Sequence, residues 1–181
     1  MAEAELARFI DRYTIEYVRT YPHPIERVWR AVSDPAEVAT WFWGPGRSEQ
    51  RLGGGYHFGA EVDGFEGTIA AFEPPRLIRY GGTAPGASSY WGFELQAVRG
   101  GTRVVFVQHI EPGEHPAKDW PRDPPGTPAD TPWWPGTLSG WHRGLDHLGA
   151  LMDRRPWRRP DTAARESLDQ RYRDHMLATL P

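Results

Sequence analysis

Residues 13–21 (YTIEYVRTY) crowd β-branched and aromatic types together and predict a strand, which Pro22 and Pro24 stop. The spacing then changes. Ile25, Val28, Trp29 and Val32 recur at intervals of three and four, the period of a helix with one apolar face. Ser33-Asp34-Pro35 breaks this helix and starts another, with Asp34 as N-cap and Pro35 in the first helical position. Val38, Trp41 and Phe42 give the second helix its apolar side. Past Trp43-Gly44-Pro45-Gly46 the period falls to two. Gly53-Gly54-Gly55 predicts a turn, and Tyr56 and Phe58 then alternate with His57, which is expected to face outward. Residues 65–73 and 76–80 predict two more strands, closed by Pro74-Pro75 and Gly81-Gly82. Along 89–98, Trp91, Phe93, Leu95 and Ala97 oppose Tyr90, Gly92, Glu94 and Gln96. Gly100-Gly101 suits a tight hairpin into the strand 102–110, where Val104, Phe106 and Gln108 share a face.

Residues 111–136 have no period. They hold eight prolines together with Trp120, Trp133 and Trp134. A loop of this length is functional or disordered, and its tryptophans argue against full disorder. The expectation is a lid over whatever lies beneath. The segment 137–153 follows as one helix, with Leu138, Trp141, Leu145, Leu148 and Met152 in a continuous stripe until Pro156. A weaker stripe of Leu168, Tyr172, Met176 and Leu180 predicts a last helix near 163–179. Residues 1–153 are expected to form the main domain and 154–181 a helical appendage.

Composition narrows the classes. In 181 residues, Gly 20 plus Pro 18 is about a fifth of the chain, against a usual sum of about 12%. That disfavours a helical bundle. Cysteine is absent, which excludes disulfide frameworks and Cys-ligated metal sites. A net charge of −3 argues against a nucleic-acid partner. No run reaches the roughly 18 apolar residues of a membrane span, and residues 1–12 are charged rather than signal-like. A cytoplasmic location is expected.

Strand, two short helices, a meander and one long striped helix make an α+β arrangement. A curved antiparallel sheet of about six or seven strands would wrap around the long helix, a helix-grip fold. The residues also carry a family resemblance. Pro24-Ile25-Glu26-Arg27-Val28-Trp29-Arg30-Ala31-Val32-Ser33-Asp34-Pro35 followed by Trp41-Phe42 resembles the opening of the START-like (SRPBCC) superfamily. The branch is that of proteins related to the activator of the ninety-kDa heat-shock protein ATPase. Gly54-Gly55-Tyr56-His57-Phe58, Gly67-Thr68-Ile69, Glu73-Pro74-Pro75-Arg76-Leu77, Gly101-Thr102-Arg103-Val104 and Gly140-Trp141 through Leu145 and Leu148 follow in the matching order. The resemblance implies a cavity between sheet and long helix. It spans about residues 13–152 and departs in two places: the insertion 111–136, and Gln108, where the family often has His. The extra N-terminal domain of the eukaryotic co-chaperone is not matched, so chaperone activation is not implied.

Candidate chemistry is sparse. Gly53-Gly54-Gly55 lacks the Lys-Ser/Thr of a phosphate loop. His142 and Asp146 share a helix face while His147 points elsewhere, so a solvated face is expected and no metal. His57, Glu61, Glu66, Arg79, Gln108 and His142 are the polar candidates for acid–base work, with no dyad or triad spacing among them. No catalytic residue is assigned and no cofactor is expected. The aromatic residues are the stronger signal. Trp41, Phe42, Tyr56, Phe58, Trp91, Phe93, Phe106, Gln108, Trp134, Leu138, Trp141 and Leu145 are the expected lining of a ligand cavity. The expected function is binding of a small hydrophobic or aromatic molecule. Alternatives are a cyclase or dehydratase of the polyketide type, and a protein-interaction module. For the last, the C-terminal helix is the candidate surface for a second copy or a protein partner.

Overall fold

The computed structural model describes residues 5–42, 44–59, 64–82, 88–112 and 131–180. Readings that fall on Trp43, Glu61, Trp120 and most of the Pro-rich insertion lie outside these residues. Strand β1 (Arg8–Asp11) pairs antiparallel with β2 (Thr14–Tyr21). The charge of residues 1–12 hides β1 from a sequence reading. The strand forms because Arg8 pairs with Glu16 across it and Phe9 stacks on His175 at 5.6 Å. Asp11 holds the turn, accepting from the Tyr13 N–H at 2.7 Å and the Thr14 hydroxyl at 3.0 Å.

Helix α1 (Ile25–Ser33) ends at Asp34, which in turn caps α2 (Pro35–Trp41) by accepting from Ala36 N at 2.8 Å. Pro35, lacking an N–H, fits the first helical position. The meander then runs through β3 (Gly46–Ser48), β4 (Gly55–Phe58), β5 (Phe65–Glu73), β6 (Leu77–Gly81), β7 (Tyr90–Val98) and β8 (Gly101–His109). Eight strands stand in the order β1-β2-β8-β7-β6-β5-β4-β3, all antiparallel, where about six or seven are expected. The two short edge strands, β1 and β3, make up the difference. Gly100, at φ +88°, supplies the left-handed residue of the β7–β8 hairpin.

Helix α3 (Pro135–Met152) lies on the sheet with Leu138, Trp141, Leu145 and Leu148 buried. Two hydrogen bonds orient it. The Tyr17 hydroxyl donates to Leu138 O at 2.7 Å and the Tyr21 hydroxyl to Leu145 O at 2.8 Å. Four strand residues advance about 13 Å and seven helical residues about 10 Å, so α3 runs nearly along β2. The sheet face beneath it is built from register pairs: Trp91 opposite Gln108, Phe93 opposite Phe106, Leu95 opposite Val104. Helix α4 (Thr162–Thr179) is N-capped by Asp161 and buries Tyr172 and Met176 in the same core cluster as α3 and the sheet. Its striped face is thus occupied by its own chain. No helix among the described residues is long and apolar enough to cross a membrane.

Candidate functional site

Aromatic rings from six elements and from the turn after α2 meet between the sheet and α3. The helix-breaking turn after α2 delivers Phe42; β4 delivers Tyr56 and Phe58; β5 delivers Phe65; β6 delivers Tyr80; β7 delivers Trp91 and Phe93. Phe106 comes from β8 and Trp141 from α3. Trp91 is the centre. Phe42 stacks on one side of it at 5.2 Å and 9°, and Tyr80 lies against it at 4.2 Å and 23°. Trp141 approaches Trp91 at 5.6 Å, Phe42 at 5.5 Å and Phe106 at 4.2 Å. Phe65 touches Phe42 and Trp141 at the partly buried edge. These rings occupy the space where a sheet–helix cavity is expected.

The polar atoms of the cluster are few, and nearly all are satisfied. The Tyr56 hydroxyl donates to Gly81 O at 2.9 Å and the Tyr80 hydroxyl to Val32 O at 3.2 Å. Burial pushes the Tyr56 phenol up to about 12 and Tyr80 higher still. Both are therefore neutral at physiological pH. Trp141 donates its indole N–H to Gln108 Oε1 at 2.7 Å, Trp41 to Ala31 O at 2.8 Å and Trp133 to Arg12 O at 3.0 Å. Trp91 breaks the pattern. It is 4% exposed, and its Nε1 is shielded from solvent without a hydrogen-bond partner among the described residues. The Tyr56 hydroxyl is near enough to feel that N–H, yet is not placed to accept from it.

Of the sequence-predicted residues, the structure brings together Phe42, Tyr56, Phe58, Trp91, Phe93, Phe106 and Trp141, with Trp41 against Phe42 and Phe93 at 5.5 and 6.0 Å. Gln108 joins them through Trp141. Leu138 and Leu145 are buried nearer β2, where their carbonyls hold the two tyrosines. Trp134 is half-buried at the N-cap of α3, and Trp133 is a fully buried core residue. Phe65 and Tyr80 complete the cluster. Phe65 is expected among the converging aromatics and stands opposite Phe58 in register, while the signal for Tyr80 is strand alternation from Ile78.

Two polar candidates, His57 and His142, sit differently from expectation, and the orientation of Arg79, open in the sequence, is fixed by the fold. His57 does lie opposite Tyr56 and Phe58, but it is only 5% exposed. Its register partners Arg47 and Glu66 flank it on β3 and β5, beside an open groove of about 480 Å³. His142 is not on a solvated face. It is 5% exposed, because α4 covers it and the Tyr172 hydroxyl meets its Nδ1 at 2.8 Å. Burial first, then the charges of Arg19, Arg171 and Arg143, lower its pKa to about 4. Its Nε2 stands 3.7 Å from Asp146 Oδ2. Arg79 faces outward, paired with Glu94 at 2.8 Å and over the Tyr90 ring. No group of three or more His, Asp or Glu among the described residues is arranged to hold a metal.

Comparison with known proteins follows the same lines. The family model of Activator of Hsp90 ATPase homolog 1-like proteins matches residues 22–153. No curated protein matches the chain in sequence. Among solved structures, CalU16 from Micromonospora echinospora is 20% identical, over 92% of this chain and 87% of that one, with a TM-score of 0.64. A conserved protein of unknown function from Enterococcus faecalis is 15% identical, over 97% and 91%, with a TM-score of 0.66. Protein MLL2253 from Mesorhizobium loti is 20% identical, over 80% and 99%, with a TM-score of 0.57. At these identities the likeness is one of fold.

Proposed function

The chain belongs to the Activator of Hsp90 ATPase homolog 1-like family, and from that premise we propose that it binds a small, flat, apolar molecule in the aromatic cluster between the sheet and α3. One observation carries the reading. Trp91 holds a buried N–H, unpartnered among the described residues, at the centre of a cluster whose tyrosine hydroxyls and Trp141 N–H are all satisfied. A buried donor left unpaired costs about 1–3 kcal/mol. A ligand with one acceptor atom would recover that cost. Apolar walls with one or two placed polar groups are the usual make-up of a small-molecule site.

Entry is by ring exchange. Phe42 lies flat on Trp91 and reaches 9% exposure, and Phe65 beside it is partly buried. A planar ligand takes the place of the Phe42 ring against the indole, with Phe65 as the second leaf. Binding is favoured over a cyclase-type reaction because the hydroxyls of Tyr56 and Tyr80 in the cluster are committed to the carbonyls of Gly81 and Val32.

Two probes of nearly equal shape separate packing from the hydrogen bond. 1-Naphthol, with one oxygen, is expected to bind roughly two- to tenfold more tightly than naphthalene, the worth of one net hydrogen bond. Quenching of tryptophan emission reports the binding. In Trp91→Phe the two affinities should become equal. Equal affinities in the wild-type chain, or binding of neither probe, would overturn the reading.

A further inference from the structure

A second polar niche lies outside the aromatic cluster, where β2, residues 5–7, α3 and α4 meet. Its key residue is Arg19. The inward positions of β2 are Ile15, Tyr17, Arg19 and Tyr21, and three of the four are buried core residues. Arg19 puts a charge into this row. Its Nη1 donates to the carbonyls of Glu5 at 3.0 Å and Val18 at 2.9 Å. Its Nε and Nη2 are shielded from solvent and have no hydrogen-bond partner among the described residues. Those two N–H groups lie side by side on one edge of the guanidinium. That edge is the one that grips both oxygens of a carboxylate or a phosphate.

The surroundings leave the edge without an internal partner. Tyr172 accepts from Ala7 N at 3.3 Å and meets His142 Nδ1. Tyr17 spends its proton on Leu138 O. Asp146 is the carboxylate on the facing turn of α3, and it stands by His142 rather than on Arg19. Arg19 is partly exposed as a residue, but three of its five N–H donors, on Nε and Nη2, are shielded and unpaired, which is costly. It is stabilised by an anion that brings two parallel oxygens.

We propose that the Nε/Nη2 edge of Arg19 is a binding site for one oxyanion, the carboxylate of a small acid or an inorganic phosphate, seated between β2 and α4. The site is independent of the aromatic cluster. Arg19 and Tyr172 both lie outside residues 22–153, so the family match does not imply it.

Thermal unfolding of the full chain tests it. Midpoints are measured in rising sodium acetate and, separately, sodium phosphate, each against sodium chloride at equal ionic strength and pH. The expected result is a saturable rise with acetate or with phosphate, and the arm that responds identifies the source of the oxyanion. Arg19→Lys keeps the charge but loses the two-pronged edge. It should fold and show an apparent affinity weaker by about tenfold or more, the loss of a charge-assisted pair. A rise no greater than in chloride for both anions, or an equal rise in Arg19→Lys, overturns the proposal. If the variant does not fold, the Arg19 Nε–H resonance of the wild-type chain decides. Movement of that signal in saturating acetate or phosphate supports the site, and a signal fixed in both refutes it.

Discussion

Trp141→Ala is expected to lower stability by about 3–5 kcal/mol, the range for removing a large buried aromatic. Trp141 is 1% exposed and sits at the crossing of α3 with the sheet. Its ring touches Phe42, Phe65, Trp91 and Phe106. Truncation to Ala opens a hole that these rings cannot all refill, since Phe65, Trp91 and Phe106 are each fixed by their own strand. It also leaves Gln108 Oε1 without the Trp141 donor, which adds about 1 kcal/mol. A domain of this kind has about 5–15 kcal/mol in total, so the variant should unfold at a much lower urea concentration. Trp141→Phe keeps most of the ring and loses mainly the hydrogen bond. It should cost less than half as much. A loss below about 1 kcal/mol in the Ala variant would show that the stripe on α3 is not core.

Acidification should weaken the fold through His142. Its pKa is lowered from 6.5 to about 4, first by burial and then by Arg19, Arg171 and Arg143. A folded pKa below the unfolded one means that the unfolded chain binds the proton first. Stability from this group is therefore fully present above pH 6.5. It is lost as pH falls from there towards 4, by about 1.4 kcal/mol per unit, about 3 kcal/mol in all. The neutral imidazole is fixed by the Tyr172 hydroxyl, and Asp146, 3.7 Å from Nε2, does not offset the burial. Carboxylates titrate in the same window, so the measurement is a difference. Urea unfolding of the wild-type chain and of His142→Gln is compared from pH 7 to pH 4.5. The wild type should lose about 2–3 kcal/mol more than the variant over that range. Parallel pH curves would contradict the assignment.

Much of the fold was legible because burial imposes period. The 3,4,3,4 stripe from Leu138 to Met152 has one consistent reading, and α3 buries that stripe. Asp34-Pro35 predicts a cap, and the Asp34 side chain accepts from Ala36 N. The alternation of Trp91, Phe93 and Leu95 likewise places three rings or branched chains on the inner face of β7. What stayed hidden depends on contacts between distant segments. His142 reads as a solvated position until α4 is laid over it, and nothing in residues 137–153 says where α4 goes. Alternation puts His57 on the face opposite Tyr56 and Phe58, but it reports a face and not its coverage, and His57 is buried there. The short strands β1 and β3 have too few residues to show a period at all.

The site divides in the same way. Large aromatics at alternating positions announce that rings converge, and eight of the expected lining residues, from Trp41 to Trp141, do so, with Gln108 joined to them through Trp141. Sequence could not distinguish an open cavity from a cluster of interlocked rings, because both need the same residues. Nor could it show which indole lacks a partner. Trp41, Trp133 and Trp141 each find an oxygen, and only the folded geometry leaves Trp91 without one. Arg19 is a different case. Its signal is present in the sequence, a charge in the inward register between Tyr17 and Tyr21.

The central claim is that the buried N–H of Trp91 awaits an acceptor carried by a ligand. The most direct measurement is the indole Nε1–H resonance of Trp91 in the 15N-labelled chain, assigned by its loss in Trp91→Phe and followed during titration with 1-naphthol. An upfield, unbonded position in the free protein, unchanged by Tyr56→Phe, with a saturable downfield shift on binding, is the predicted result. A signal that already stands at a bonded position in the free protein, or that stays still while 1-naphthol binds, would contradict it.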